Sequence, residues 1–225
     1  TTNAIITNSG TISSGRAKTI ELEAGTGATS GATVNNNFGG TITGPTNTIK
    51  TDGQGNISTN TTINNSGLIS VTTSGRAIGP STGNDTGTVV NNNSTGIIVK
   101  TSTADTGAEV ITLGNSGTVT NSGQIRNDVS PTSIAINMTG NNSTVLLKDK
   151  GIVVGVIASE GTGNKLQLQH GFGRAYFYET SGVLTLEDLS GNVVVKGSAG
   201  SVGLGAQETV DELLGLRTSK PPRSV

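Results

Sequence analysis

Residues 115–125 read NSGTVTNSGQI, almost the same phrase twice over. Each half runs Asn-Ser-Gly, one variable residue, then Val or Ile. Set against the rest of the chain, it aligns with ITNSGTIS at 6–13, VNNNFGGTITG at 34–44, INNSGLISV at 63–71 and VNNNSTGIIV at 90–99. LGNSGTVT at 113–120 and TNSGQI at 120–125 complete the series. The consensus is an apolar residue, an Asn-rich corner, Gly, any residue, then Ile or Val. Its anchoring glycines, Gly10, Gly40, Gly67, Gly96 and Gly117, fall roughly 20 to 30 residues apart, which is the spacing of solenoid coils. A weaker echo lies between them, where SGRA recurs with Arg16 and Arg76 in matching places.

Each copy reads as a strand of four to six residues with alternate side chains inward: Ile12; Ile42; Leu68 with Ser70; Ile97 with Val99; Val119. Glycine supplies corners with φ > 0, and asparagine tolerates that conformation better than most residues. A single coil cannot bury its own apolar side. Stacked coils pair every strand with the one above and the one below. Asparagines at equivalent corners then bond one another in a ladder of amides. The repeated corners are Asn8 with Gly10, Asn37 with Gly40, Asn65 with Gly67, Asn93 with Gly96, Asn115 with Gly117 and Asn121 with Gly123. The expected fold is all-β, a right-handed parallel β-helix or β-solenoid, in preference to a sandwich of short hairpins.

Composition agrees with small, uniform building blocks. The 225 residues include 34 Gly, 36 Thr and 22 Asn, one His, no Cys and no Trp, and aromatics make up 2%. Disordered chains combine high net charge with few β-branched residues. Here the formal net charge is -1, and Thr, Val and Ile, which suit a pleated surface, abound. The core must be narrow. Near-neutral charge without a basic run argues against nucleic acid, and no apolar run is long enough for a membrane helix. The opening TTNAIIT already lies within a repeat, so a processed form or fragment is expected.

Three zones follow: repetitive coils over 1–140, a cap or folding nucleus over 141–205, and a short helix with a proline-containing tail over 206–225. In the middle zone Phe172, Tyr176, Phe177 and Tyr178 gather four of the five aromatics, and an aromatic cap over the last coils is expected. AQETVDELLGLR, from residue 206, places Ala206, Val210, Leu213 and Leu214 on one helical face.

The V/I-x-N-S-G-x-I repeats, followed by GNKLQLQHGFGRAYFYETSGVLTLEDLSGN at 163–192, resemble the passenger domains of bacterial autotransporters, the type V secreted surface proteins. The resemblance covers nearly the whole chain. It implies a β-helix carried to the cell surface by an outer-membrane barrel in the full-length precursor. It also implies a folding-nucleating C-terminal third and a linker beginning near residue 206. It carries no catalytic residue.

Elementary chemistry points the same way. A serine triad needs a His base, and the one histidine, His170, sits in an expected turn. Zinc sites need more His and Cys than the chain holds, and no cofactor is expected. Sugar-cleaving β-helices need paired or clustered acids, whereas Asp52, Asp85, Asp105 and Asp128 are scattered singly. The expected function is therefore that of a non-enzymatic, extracellular, adhesive stalk, displayed on a bacterial surface or secreted. Its partner would be a host or neighbouring-cell component, protein or glycan. Two alternatives remain: a fibre subunit that binds copies of itself head to tail, since uncapped strand edges template further strands, and a polysaccharide-degrading enzyme.

Overall fold

The structure is a computed structural model that describes residues 3–22, 29–51, 58–80, 85–102, 107–130, 132–169, 176–189, 194–197 and 200–203. It is an all-β parallel β-solenoid. Six successive coils each contribute one strand to each of three sheets. The first face stacks eight strands: Ile5–Asn8, Thr33–Asn36, Thr62–Asn65, Val89–Asn92, Thr118–Asn121, Thr144–Lys148, Lys165–Gln169 and Thr185–Asp188. The second face runs from Thr11–Ser13 to Ile152–Val154, and the third from Ile20–Glu21 to Tyr176–Gly182. Beyond them, Val194–Gly197 and Gly200–Gly203 form an antiparallel hairpin that pairs with Tyr176–Tyr178. From its first strand to its eighth the first face spans roughly 34 Å, at about 4.8 Å per strand. No described residue is helical, and the expected helix of 206–225 lies outside the described residues.

One aliphatic column on each face builds most of the interior, joined by Val71, Leu113, Met138, Leu147 and Leu168. On the first face Ile6, Val34, Ile63, Val90, Val119, Val145, Leu166 and Leu186 stack in register. On the second face Ile12, Ile42, Ile69, Ile98, Ile125 and Val153 do the same. On the third the column is Ile20, Ile49, Ile78, Ile111, Ile136 and Ile157. These three columns meet along the axis, and most of their members are sealed from water. Burying each such side chain contributes about 1.5–3 kcal/mol. Ile12, Ile42 and Val119 point inward as the sequence suggests. Leu68 and Ile97 do not: Ile69 and Ile98 take the core positions. LISV and IIVK are continuous apolar runs without alternation, so their phase is set by the corner, where the residue two past the glycine always points in.

A buried amide ladder runs beside this core. Asn8, Asn36, Asn65, Asn92 and Asn121 end the first five strands of the first face, and all are buried. The Nδ2 of Asn8 donates to Asn36 Oδ1 at 2.9 Å, that of Asn36 to Asn65 at 2.8 Å, that of Asn65 to Asn92 at 2.9 Å and that of Asn92 to Asn121 at 2.8 Å. Each of the first four Nδ2 groups also reaches the carbonyl of its own corner glycine, at 3.1–3.2 Å. Corner amides return bonds to Oδ1, as Gly67 N–H does to Asn65 at 3.3 Å. At Asn121 the series stops. Its Nδ2 keeps the bond each rung makes to the next coil's second face, here Ile152 O at 3.0 Å, but Leu147 and Leu168 hold the ladder register above it.

The glycines at these corners have a different role from the one expected of them. None of Gly10, Gly40, Gly67, Gly96, Gly117 and Gly123 has positive φ. Gly10, in the first coil, faces open space, but beyond it close stacking excludes a side chain: a Cβ on Gly67 would lie 2.1 Å from Gly40 O, and one on Gly123 would lie 2.3 Å from Gly96 O. Positive φ enters this corner only in the long turns, at Gly39 and Asp149, and a regular series of left-handed residues sits elsewhere, two places before each of the first seven first-face strands. They are Asn3, Gly31, Asn60, Gly87, Ser116, Asn142 and Gly163, with φ between 52° and 77°. Here Asn and Gly alternate for a steric reason, since a Cβ on Gly87 would meet Asn60 Oδ1 at 2.7 Å and one on Gly31 would meet Asn3 Oδ1 at 2.2 Å.

Replacing Asn65 by Leu removes a rung in mid-ladder and leaves Asn36 Nδ2, Asn92 Oδ1 and Gly67 N–H each one partner short. Unpaired buried polar groups cost about 1–3 kcal/mol, so Asn65→Leu is expected to lower unfolding free energy by about 3 kcal/mol. Asn121→Leu extends the leucines above it and leaves two groups short, Asn92 Nδ2 and Gly123 N–H, so it should cost less, about 2 kcal/mol. Urea unfolding of both variants checks this, and equal losses would show that ladder continuity is not the source of stability.

Candidate functional site: a notched corner

The corner between the first and second faces is built from turns of unequal length. Successive coils turn through Ser9–Gly10, Asn37–Gly40, Ser66–Gly67, Asn93–Gly96, Ser122–Gly123 and Asp149–Gly151. Short Ser-Gly turns thus alternate with longer ones that project. The long turns lean back on the short turn of the preceding coil. Asn37 Nδ2 donates to Ser9 Oγ at 2.9 Å, and Asn93 Nδ2 to Ser66 Oγ at 2.8 Å. Thr95 Oγ1 adds a bond to Ser66 O at 2.7 Å.

Over the fifth coil the pattern loosens. The sixth turn carries Asp149 in the left-handed region, at φ 55°, and its Oδ2 stands 3.5 Å from Ser122 Oγ. A cleft of about 570 Å³ opens there. Gly123 lies in its floor, and Ser94, Ser122, Gln124, Asp149, Lys150 and Ile152 surround it. Gln124 begins a second-face strand, in register between Ile97 and Ile152 on the outward side. Ile152 is 50% exposed, and Phe38, at the tip of the second coil's turn, is 77% exposed. Chemically the cleft offers an acceptor-only carboxylate, a donor-only ammonium, and hydroxyl and amide groups that do both.

The residues singled out from sequence fall in several places. Asn8, Asn65 and Asn121 are ladder rungs, while the intervening rungs are Asn36 and Asn92. Asn37 and Asn93 lie one residue later, on the exposed turns. Gly10, Gly40, Gly67, Gly96 and Gly123 share the notched corner. Asn115 and Gly117 belong to the corner between third and first faces, where Asn115 Oδ1 accepts from Asn141 N–H at 2.9 Å. Of the aromatic group, Phe172 lies outside the described residues. Tyr176, Phe177 and Tyr178 open a third-face strand, and their side chains lie outside the description. His170, Asp52 and Asp105 also lie outside it. Asp85 is buried and accepts from Thr51 Oγ1 at 2.8 Å and from Thr88 Oγ1, and Asp128 pairs with Arg126 at 3.1 Å. Arg16 and Arg76 do not stack, because the third-face register sets Arg76 over Asn47 and Lys18.

A second polar arrangement, invisible in the repeats, decorates the outward side of the third face. Glu21 Oε1 accepts from Lys18 Nζ at 2.8 Å and from Lys50 Nζ at 2.7 Å, and the Lys50 side chain is 4% exposed. Hydrogen bonds from Lys18 and then Lys50 hold the Glu21 carboxyl below its ordinary value of 4.5. Further along, Asn137 Nδ2 bridges Glu109 at 3.0 Å and Glu160 at 2.8 Å. Among the described residues no three His, Cys, Asp or Glu side chains gather where they could hold a metal ion.

A scan against models of known protein families finds no match, and searches of curated proteins and of solved structures likewise find none.

Because the Glu21 carboxyl is held low in the folded chain, it contributes stability above the ordinary glutamate range and loses it as pH falls through the folded value. Glu21→Gln should therefore melt below the parent at pH 7, with Lys50 left buried beside a neutral amide. The gap should close as pH falls well below 4.5. Melting curves across pH test this, and a gap that persists in acid would mean packing, not charge, holds Lys50.

Proposed function

We propose that this chain is a non-catalytic stalk segment of an exported bacterial surface protein, of the autotransporter-passenger kind, which displays a contact surface along one edge. The observation that carries the reading is the five-rung buried amide ladder beside three continuous aliphatic columns. Such an interior makes each coil the template for the next, and it resists bending because a bend would open amide bonds in a dry environment. The material is spent on stiffness and regularity. An edge that carries Phe38, Ser94, Thr95, Lys150 and Ile152 then places apolar, hydroxyl and charged groups on turns at regular spacing, which suits many weak contacts in parallel. On this reading the partner is a protein or glycan of a host or neighbouring cell, and an outer-membrane barrel belongs to the precursor.

The test is negative-stain electron microscopy with light scattering on the same purified chain. Isolated short particles of 22.5 kDa are expected. Filaments many molecules long would overturn the stalk reading in favour of a self-assembling fibre.

A further inference from the structure

The notched corner has a period of its own. Its projecting turns belong to the second, fourth and sixth coils, with Phe38, Ser94–Thr95 and Asp149–Lys150 at their tips. Teeth two coils apart stand about 10 Å from one another, which is about the length of an extended disaccharide. We propose that this corner binds a linear, uncharged, β-linked polysaccharide laid parallel to the rod axis, its disaccharide repeat in step with the teeth. The inference rests on the contact-surface reading above and names the ligand class for that surface.

Three observations select this class. First, Asp149 and Lys150 put one carboxylate and one ammonium on the same tooth, so the cleft has no net charge, and a charged polymer gains from one what it loses to the other. Second, the lining mixes acceptor-only, donor-only and two-way groups within one cleft, and vicinal sugar hydroxyls, each both donor and acceptor, can satisfy all of them at once. Third, the two large apolar side chains exposed on this corner, Phe38 and Ile152, bracket the same run of coils. Sugar rings present apolar C–H faces that need such platforms, and Phe38 is otherwise an expensive residue to leave in water. An extended peptide is served less well. It would add to a sheet edge; among the described residues the second sheet ends at Ile152–Val154, which meets the cleft only through Ile152, and from the second to the fifth coil the strands of both faces are paired above and below.

The cleft over the fifth coil opens where the sixth turn meets Ser122 only through a 3.5 Å contact to Asp149, longer than the 2.8 Å bond that ties the fourth turn to Ser66. Gln124, in its lining, orients the ring bound there, and Phe38, three coils or roughly 14 Å further along the axis, stacks on the third ring beyond it.

Isothermal titration of the full chain with cellotetraose and N-acetylated chitotetraose tests the proposal, with maltotetraose, polygalacturonate and an extended-peptide pool as controls. Binding of a β-linked tetrasaccharide is expected, with maltotetraose and polygalacturonate at least ten-fold weaker. Gln124→Ala and Phe38→Ala should each weaken binding at least five-fold at unchanged melting temperature. Lys150→Ala, on an exposed turn, replaces either variant if it melts early. Failure of both β-linked tetrasaccharides to bind overturns the proposal, as does binding indifferent to these substitutions or tighter binding of the peptide pool. Microscopy of the same sample separates the two readings. Filaments that bind the sugar leave the ligand class standing and remove the stalk, and discrete particles that ignore it do the reverse.

Discussion

An asparagine amide stacked in a dry corner has to meet its neighbour at hydrogen-bond distance in every coil, and most of the chain's regularity follows from that requirement. An Nδ2–Oδ1 contact of 2.8–2.9 Å matches the spacing of paired strands only when successive coils share one register. Coil lengths are accordingly held to 28, 29, 27 and 29 residues while the ladder lasts. Where Leu147 replaces Asn, the length drops to 26 and then to 21 residues. Leucine packs without a directional partner, so a coil ending in it has more freedom in how it returns.

Between the corners the chain is less constrained. The first coils carry extra residues between the third face and the next first-face strand, as between Leu22 and Thr33. The fourth carries them between Lys100 and Ile111 instead. Insertions thus migrate around the section while the total stays nearly constant. The notched edge follows the same logic. A projecting turn is tolerated because Asn37 and Asn93 tie it to the serine of the coil beneath.

Much of this was legible in the amino-acid sequence, and the misreadings have identifiable causes. Gly-x-(Ile/Val) marks the second-face phase at Ile12, Ile42, Ile69, Ile98 and Ile125. Reading LISV and IIVK by alternation alone put Leu68 and Ile97 in the core, because four apolar residues in a row carry no phase. In NNN, nothing local says which amide is inside, so Asn37 and Asn93 looked as good as Asn36 and Asn92. The opening phrase misleads in another way. Its two Asn-Ser-Gly triplets occupy different corners, with Ser116 left-handed at φ 52° in the first and a close-stacked Gly123 in the second. A tripeptide records local tolerance, and only the register across coils shows what that tolerance is used for. The cleft has no motif at all, since it arises from a difference in turn length between neighbouring coils.

The left-handed positions before the first face carry a further consequence. Asn3, Gly31, Asn60 and Gly87 alternate because each asparagine amide fills the space that a side chain on the next coil would need. The corner turns alternate with the same parity, short under long. Over the first four coils, then, the unit that repeats is a pair of coils and not a single one. A duplication or deletion of one coil would set asparagine on asparagine and long turn on long turn. Over the first four coils, losing or doubling a pair keeps this packing while losing or doubling one coil breaks it; past them the constraint lapses, since Ser116 and Asn142 occupy successive coils with no glycine between them.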